Sequence, residues 1–406
     1  MSVPQVPRRS RWAVPAGLIA LVVVTAVATA GAAAASPSLP ARTPAQLLTA
    51  LATHAGSPPP MSGQIVVTAD LGIPQLPGQA NPSSVLSMLT GSHTINLSYA
   101  DAKHVRLALP VPLGETDVIR NGSTAWIWQS SSDSVTRITL PAHSAAQGAA
   151  GPLGAPAPGG TPSPGPSPLT PQQAVQQLLT AIGPSTSVTT GATTTVAGED
   201  AYQLVVAPRD GRSLIGSVVI ALDASHPGVV LSVQVFPRGA KNAAFSEGFS
   251  SVTFATPPAS TFDFTPPHGA TVNVVNPASK MSGQPASPQP QQPPVSGVKV
   301  IGKDWLSVLE LPASVLTGLA SGGNVAAAVG QAAQSAAAGP GSGPGGNISS
   351  GAIWDALLKS ATNVHGNWGS GQLVSTSLLS ILITNGHVFV GAVEPSVLYD
   401  AAAQAG

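Results

Sequence analysis

The sequence predicts a mainly β fold: one open antiparallel sheet of about eleven strands served by two amphipathic helices, then a small α+β module at the C-terminus. Three observations carry this. Runs of β-branched and aromatic residues recur between clusters of Gly, Pro and Asp, the pattern of strands joined by turns. The connections between successive runs are too short to hold a crossover helix, so neighbours pair antiparallel. Only two segments before residue 275 combine a helix cap with apolar residues at helical spacing.

The densest stretch runs from Ala201 to Phe264. Tyr202 to Val206 ends at Pro208 and turns through Arg209-Asp210-Gly211-Arg212 into Leu214 to Asp223. Val229 to Phe236 follows the turn Ser225-His226-Pro227-Gly228, and Phe245 to Phe254 follows Pro237-Arg238-Gly239. Val218, Ile220 and Leu222 point to one face of the pleat and Val219 and Ala221 to the other, and Val229 and Val230 are likewise split. A sheet wetted on one side would alternate apolar with polar. Both faces are therefore covered, or one of them lines an apolar cavity.

The first helix opens at Thr43-Pro44-Ala45-Gln46, where Thr caps, Pro takes the first helical position and Gln completes a capping box; Leu47, Leu48 and Leu51 give it an apolar side. Thr170-Pro171-Gln172-Gln173 repeats the device, with Val175, Leu178, Leu179 and Ile182 on one face and Gly183-Pro184 as the stop. Between the helices lie six strand signals. They are Gln64 to Leu71; Ile95, Leu97 and Tyr99; Val105, Leu107 and Leu109 after the turn at Asp101; Glu115 to Arg120; Thr124 to Ser130; and Val135 to Leu140. Asn121-Gly122 is a hairpin signal, because both residue types tolerate positive φ.

Ser144 to Pro168 is Gly, Ala and Pro with little else, a composition that cannot bury enough apolar surface to offset ordering, and it reads as a disordered insert. Pro277 to Pro294 reads as a linker. The expected organisation is a leader or anchor at 1–35, the sheet domain at 36–275 with its insert at 144–168, a linker at 276–297 and the module at 298–406. In that module Val298 to Leu311, Leu373 to Thr384 and Val388 to Val393 read as strands, the last two around a second hairpin signal at Asn385-Gly386; Ala352 to Ala361 and Pro395 to Ala403 read as helices.

Arg8, Arg9 and Arg11 precede an acid-free apolar run from Trp12 to Ala35, with Ala33-Ala34-Ala35 before Ser36 as a cleavage signal. The run also has the ~20 residues a membrane helix needs, so it is either a cleaved signal peptide or a retained anchor. In both cases the positive-inside rule exports residues 36–406, which end up secreted or held on the outer side of the cytoplasmic membrane.

Composition narrows the chemistry. Cysteine is absent, which excludes disulfides, thiolate metal sites and cysteine nucleophiles. Only 8% of residues are charged and the two signs balance, so there is no basic stripe for nucleic acid. The 43 glycines and 41 prolines mark long stretches as linker. The eight histidines are scattered, mostly in turns and with no H-E-x-x-H, and they read as solvated loop residues; no metal site and no cofactor are expected. Gly341 to Gly346 matches G-x-G-x-x-G, but no strand precedes it and a proline sits inside it. Ser296-Gly297-Val298-Lys299 matches S-x-x-K without the K-T-G that should follow. Asp117, Asp200 and Asp263 lack local partners. No catalytic residue is assigned, and the protein is expected not to be an enzyme. By alternation, Leu107, Leu109, Trp126 and Trp128 are the candidate lining of an apolar site.

The order export signal, capped helix, antiparallel strands, capped helix, antiparallel strands resembles the half-barrel lipoprotein carriers of the LolA/LolB type, whose fold the sensor domains of RseB/MucB-type sigma-factor regulators share. The resemblance covers roughly residues 41–275, with local runs such as Ala201-Tyr202-Gln203-Leu204 and Phe262-Asp263-Phe264-Thr265-Pro266-Pro267. It implies an open, curved antiparallel half-barrel whose concave face, lidded by the two helices, holds lipid or lipoprotein acyl chains without catalysis. It also implies an alternative, an envelope-stress sensor acting through a membrane-protein partner such as an anti-sigma factor.

Overall fold

The computed structural model describes residues 36–54, 58–72, 91–111, 114–140, 183–275, 299–312, 360–384 and 386–405. The apolar run before Ser36, the insert at 144–168, the second capped helix at 170–182, the linker at 276–297 and the helix expected at 352–361 fall wholly or mostly outside these residues. No described helix is long and apolar enough to cross a membrane.

Helix α1 (Pro44–His54) starts as its sequence dictates. Thr43 N donates to Gln46 Oε1 at 2.8 Å and Gln46 N donates to Thr43 Oγ1 at 3.3 Å, which satisfies two of the free amides at the helix start. The first half of the large sheet follows as β1 (Met61–Ala69), β2 (Gly91–Asp101), β3 (His104–Val111), β4 (Gly114–Asn121), β5 (Thr124–Gln129) and β6 (Ser134–Thr139). The second half holds β7 (Thr186–Thr190), β8 (Thr194–Val196), β9 (Glu199–Pro208), β10 (Ile215–Asp223), β11 (Val230–Pro237), β12 (Phe245–Thr253) and β13 (Thr271–Val275).

These thirteen strands form one sheet in the order β13-β6-β5-β4-β3-β2-β1-β12-β11-β10-β9-β7, with β8 beside β9. The path does not close on itself, so the sheet is open. β1 is the seam: it pairs with β2 on one side and with β12, the last long strand, on the other. The expected meanders therefore run outward from β1 in both directions.

Three details differ from the sequence reading. β7 and β8 are rich in Thr and Ser and offer no apolar alternation to read. β13 joins β6 in parallel, so the sheet is not wholly antiparallel; the intervening chain crosses the sheet before pairing, which a hairpin could not do. The Asn121-Gly122 hairpin forms one residue late. Asn121 is the last residue of β4, paired with Thr124, and only Gly122 takes positive φ, at 62°. Its side-chain amide donates to Asp263 Oδ1 at 3.2 Å, which explains why Asn121 stays in the strand.

The C-terminal module is a second sheet with one helix. β14 (Lys299–Ile301), β15 (Val308–Pro312), β16 (Thr362–Gly366), β17 (Gly369–Ser375), β18 (Ser380–Thr384) and β19 (His387–Gly391) pair in the order β14-β15-β19-β18-β17-β16, followed by α2 (Pro395–Ala405). The strand expected from Leu373 to Thr384 is broken by a turn at Thr376, whose Oγ1 accepts from the amides of Leu378 and Leu379 at 3.3 and 2.9 Å. Leu398, Ala401 and Ala402 of α2 pack on Val308, Leu382, Phe389 and Val393. The two sheets meet where Leu214 N donates to Ala392 O at 2.9 Å, Glu394 N to Arg212 O at 2.8 Å, and Trp305 Nε1 to Thr186 Oγ1 at 2.7 Å.

Candidate functional site

Residues opposite each other on paired strands share a face, so the register divides every side chain between two faces of the sheet. Leu204 lies under Leu47 of α1, in a cluster with Tyr202 and Leu222. From Leu204 the register passes through Ile220, Val233, Glu247 and Val67, so these define the α1 face as far as the seam strand. Beyond the seam, Gly63, Leu97, Leu107, Val118 and Ile127 form a cross-strand row of their own, and Leu97 packs on the cluster of Met61, Ala201, Ala221 and Leu231 and not on the α1 cluster. Ile65, Ile95 and Leu109 flank it by alternation along their strands. Most of the row is half-buried, and Val118 is 40% exposed. Its glycine has a packing reason: a Cβ on Gly63 would lie 2.3 Å from Ser251 O and 3.0 Å from the Phe249 ring, at the bulge between β1 and β12.

Trp126 and Trp128 lie on the opposite face. They pair with Ile119 and Asp117, and Ile119 and Asp117 pair with Arg106 and Ala108. Phe264 packs over both indoles with ring centroids 5.5 and 6.4 Å away, and the Arg137 guanidinium sits 5.4 Å from the Trp126 ring. The chain after β12 thus covers this face on its way to β13, with Phe262 buried against His104. The four expected lining residues are therefore divided: Leu107 and Leu109 lie on the face of the Leu97 row, and the two tryptophans pack on the other face beneath the returning chain. Alternation within one strand tells which residues are together, but the relation between strands comes only from their register.

The tryptophan face also holds a charge cluster. Asp117 sits in mid-strand and is 2% exposed, and the Arg106 guanidinium donates to its Oδ2 at 2.5 Å. Glu115 stands 3.9 Å from the same guanidinium. Burial, and then the neighbouring Asp117, raise the Glu115 carboxyl above its ordinary 4.5. A carboxyl raised on folding contributes stability below its unfolded pKa that is lost as pH rises through its folded value. Glu115→Gln is therefore expected to match the parent below about pH 4.5 and to gain at pH 7. Because Glu115 is 41% exposed, the gain should be only a few tenths of a kcal/mol, read from urea unfolding at the two pH values.

At the far end of the second half, Glu199, Asp223 and His226 bring one oxygen or nitrogen each within 4.8 Å of one another. Sequence reasoning read His226 as a solvated loop residue, yet its ring stacks on Phe254 with centroids 3.7 Å apart. Elsewhere, Gly216, Ser217, Val219, Phe236 and Pro237 line a shallow, solvent-open depression of about 450 Å³ beside Arg238, away from the apolar row.

No family model and no curated protein matches this sequence. Solved structures similar to the chain include MucB in the MucA/MucB complex of Pseudomonas aeruginosa, at 14% identity over 88% of this chain and 96% of that one, with a TM-score of 0.38. A LolA superfamily protein from Nitrosomonas europaea is 9% identical over 55% of this chain and 99% of its own, with a TM-score of 0.20. A putative outer membrane lipoprotein-sorting protein domain from Vibrio parahaemolyticus is 12% identical over 52% and 94%, with a TM-score of 0.19. These are the kinds of protein that the order of elements resembles. At these identities and TM-scores the likeness carries no chemistry, which has to come from the site.

Proposed function

We propose that the face of the large sheet carrying Leu97 and Leu107 binds the acyl chains of lipids or lipoproteins, without catalysis, outside the cytoplasmic membrane. The observation that supports this reading is the apolar row Leu97, Leu107, Val118 and Ile127, carried across four neighbouring strands, of which Leu97 and Leu107 are half-buried and Val118 is exposed while Ile127 is buried. From Gly63 to Ile127 it spans about 19 Å at the ~4.8 Å spacing of neighbouring strands, a length an extended acyl chain can follow. Each methylene removed from water along it is worth about 0.8 kcal/mol, so a chain of ordinary length outweighs the cost of association. No charged side chain belongs to the row, which suits an alkyl chain and not a polar substrate.

The test separates the two faces. Val118→Arg places a charge on an exposed position of the row, where folding tolerates it, and should weaken binding of a fluorescent fatty acid by at least about tenfold. Asn96→Arg, exposed on the other face, should leave binding unchanged. Equal binding by both variants would remove the row from the site. A parent that takes up no lipid would remove the lipid-binding reading itself and leave the sensor alternative, which a copurifying membrane protein would then support.

A further inference from the structure

We propose that Glu199, Asp223 and His226 form a binding site for a divalent transition-metal ion such as Zn²⁺. The three residues come from different elements that the sheet brings to one corner. Glu199 is the first residue of β9, Asp223 the last of β10, and His226 sits in the turn between β10 and β11. The backbone there is tightly fixed: Asp223 lies opposite Ala201 in the ladder, Asp223 N donates to Val229 O at 3.0 Å, and Ala224 N donates to Asp200 O at 2.9 Å. Ala197 and Gly198 take φ of 54° and 89°, the two-residue turn that aims Glu199 back at the corner.

The second observation concerns the polar atoms inside the cluster. The Asp223 side chain is 0% exposed. Its Oδ1 accepts from the amides of Ser225 and His226 at 2.7 Å each, but its buried Oδ2 has no hydrogen-bond partner. The buried Nδ1 of His226 has none either, and it stands 3.3 Å from Asp223 Oδ1. A buried carboxylate oxygen and a buried imidazole nitrogen without hydrogen-bond partners are costly side by side, and a cation shared between them removes both costs. Stacking on Phe254, with ring centroids 3.7 Å apart, fixes the orientation of the imidazole.

The donor set selects the ion. Two carboxylates and one imidazole suit Zn²⁺ or Mn²⁺, whereas Ca²⁺ asks for six or more oxygens. Tetrahedral ligands about 2.1 Å from a metal sit roughly 3.4 Å apart, so donors within 4.8 Å need only small side-chain movements to close on one. The ion would brace the β10–β11 turn on which α1 rests: a Cβ on Gly228 would meet His54 of α1 at 2.4 Å, so the two are in direct contact.

The full chain, stripped with a chelator, should take up one Zn²⁺ in equilibrium dialysis with micromolar affinity or better, and its Tm should rise with Zn²⁺ concentration. His226→Ala and Glu199→Gln should each weaken uptake by at least about tenfold and abolish the Tm rise while leaving the chain folded, because neither side chain carries the backbone bonds that Asp223 does. Absence of stoichiometric uptake by the parent overturns the site. So does uptake that survives either substitution unchanged, since Zn²⁺ would then be held by other histidines.

Discussion

Arg106→Ala is expected to cost about 3 kcal/mol of stability. The reason is not the strength of the ion pair. Asp117 is nearly devoid of solvent contact and lies between Ala108 and Trp128 on a covered face, so removing the guanidinium leaves a carboxylate with neither water nor counter-charge. The repulsion from Glu115, now balanced by the same arginine, adds to the loss. The double variant Arg106→Met/Asp117→Leu should recover most of it, because an apolar pair of similar volume avoids the desolvation cost. Urea unfolding of the parent, both single variants and the double variant gives the coupling directly. A loss under about 1 kcal/mol in Arg106→Ala would mean that solvent reaches Asp117 and that the pair behaves as a surface one.

That cluster also shows what the sequence could and could not convey. Asp117 has no partner in its local sequence, and its partner lies eleven residues back on the neighbouring strand. Strands β1 to β6 and β9 to β12 were legible because apolar periodicity and turn residues are local signals. The capping box of α1 and the C-terminal helix were legible for the same reason. β7 and β8 were not, since a Thr-rich strand looks like a loop until something pairs with it. Nor was the parallel edge strand β13, whose place depends on where the chain crosses the sheet.

The candidate site follows the same rule. Leu107 and Leu109 belong to the apolar face of the Leu97 row, while Trp126 and Trp128, equally apolar in sequence, serve the other face. Alternation within each strand suggested one lining of all four, but the face is set by register, and register is settled by pairings between strands. The Glu199, Asp223 and His226 corner was invisible for a related reason: its members are 24 and 3 residues apart and converge only because β9 and β10 are neighbours.

Phe389→Ala is expected to cost about 3–5 kcal/mol, the usual range for emptying a fully buried aromatic site. Phe389 is 1% exposed at the middle of the small sheet, on β19 between Glu310 of β15 and Leu382 of β18. Leu398 and Ala401 of α2 share its core cluster with Val308 and Val393. Phe389→Leu should cost markedly less, because it keeps most of the volume. The loss should be felt at the junction of the sheets as well. Val393 belongs to the same cluster and bridges to Ser213, whose hydroxyl donates to Ala392 O at 3.3 Å. Hydrogen exchange reads this residue by residue. In Phe389→Ala the amides of β18 and β19 should lose protection, and those of Leu214 and Glu394, which donate across the junction, should lose it with them. If the β18 and β19 amides open while Leu214 and Glu394 stay protected, the junction is held by the large sheet alone and the small sheet's core does not support it.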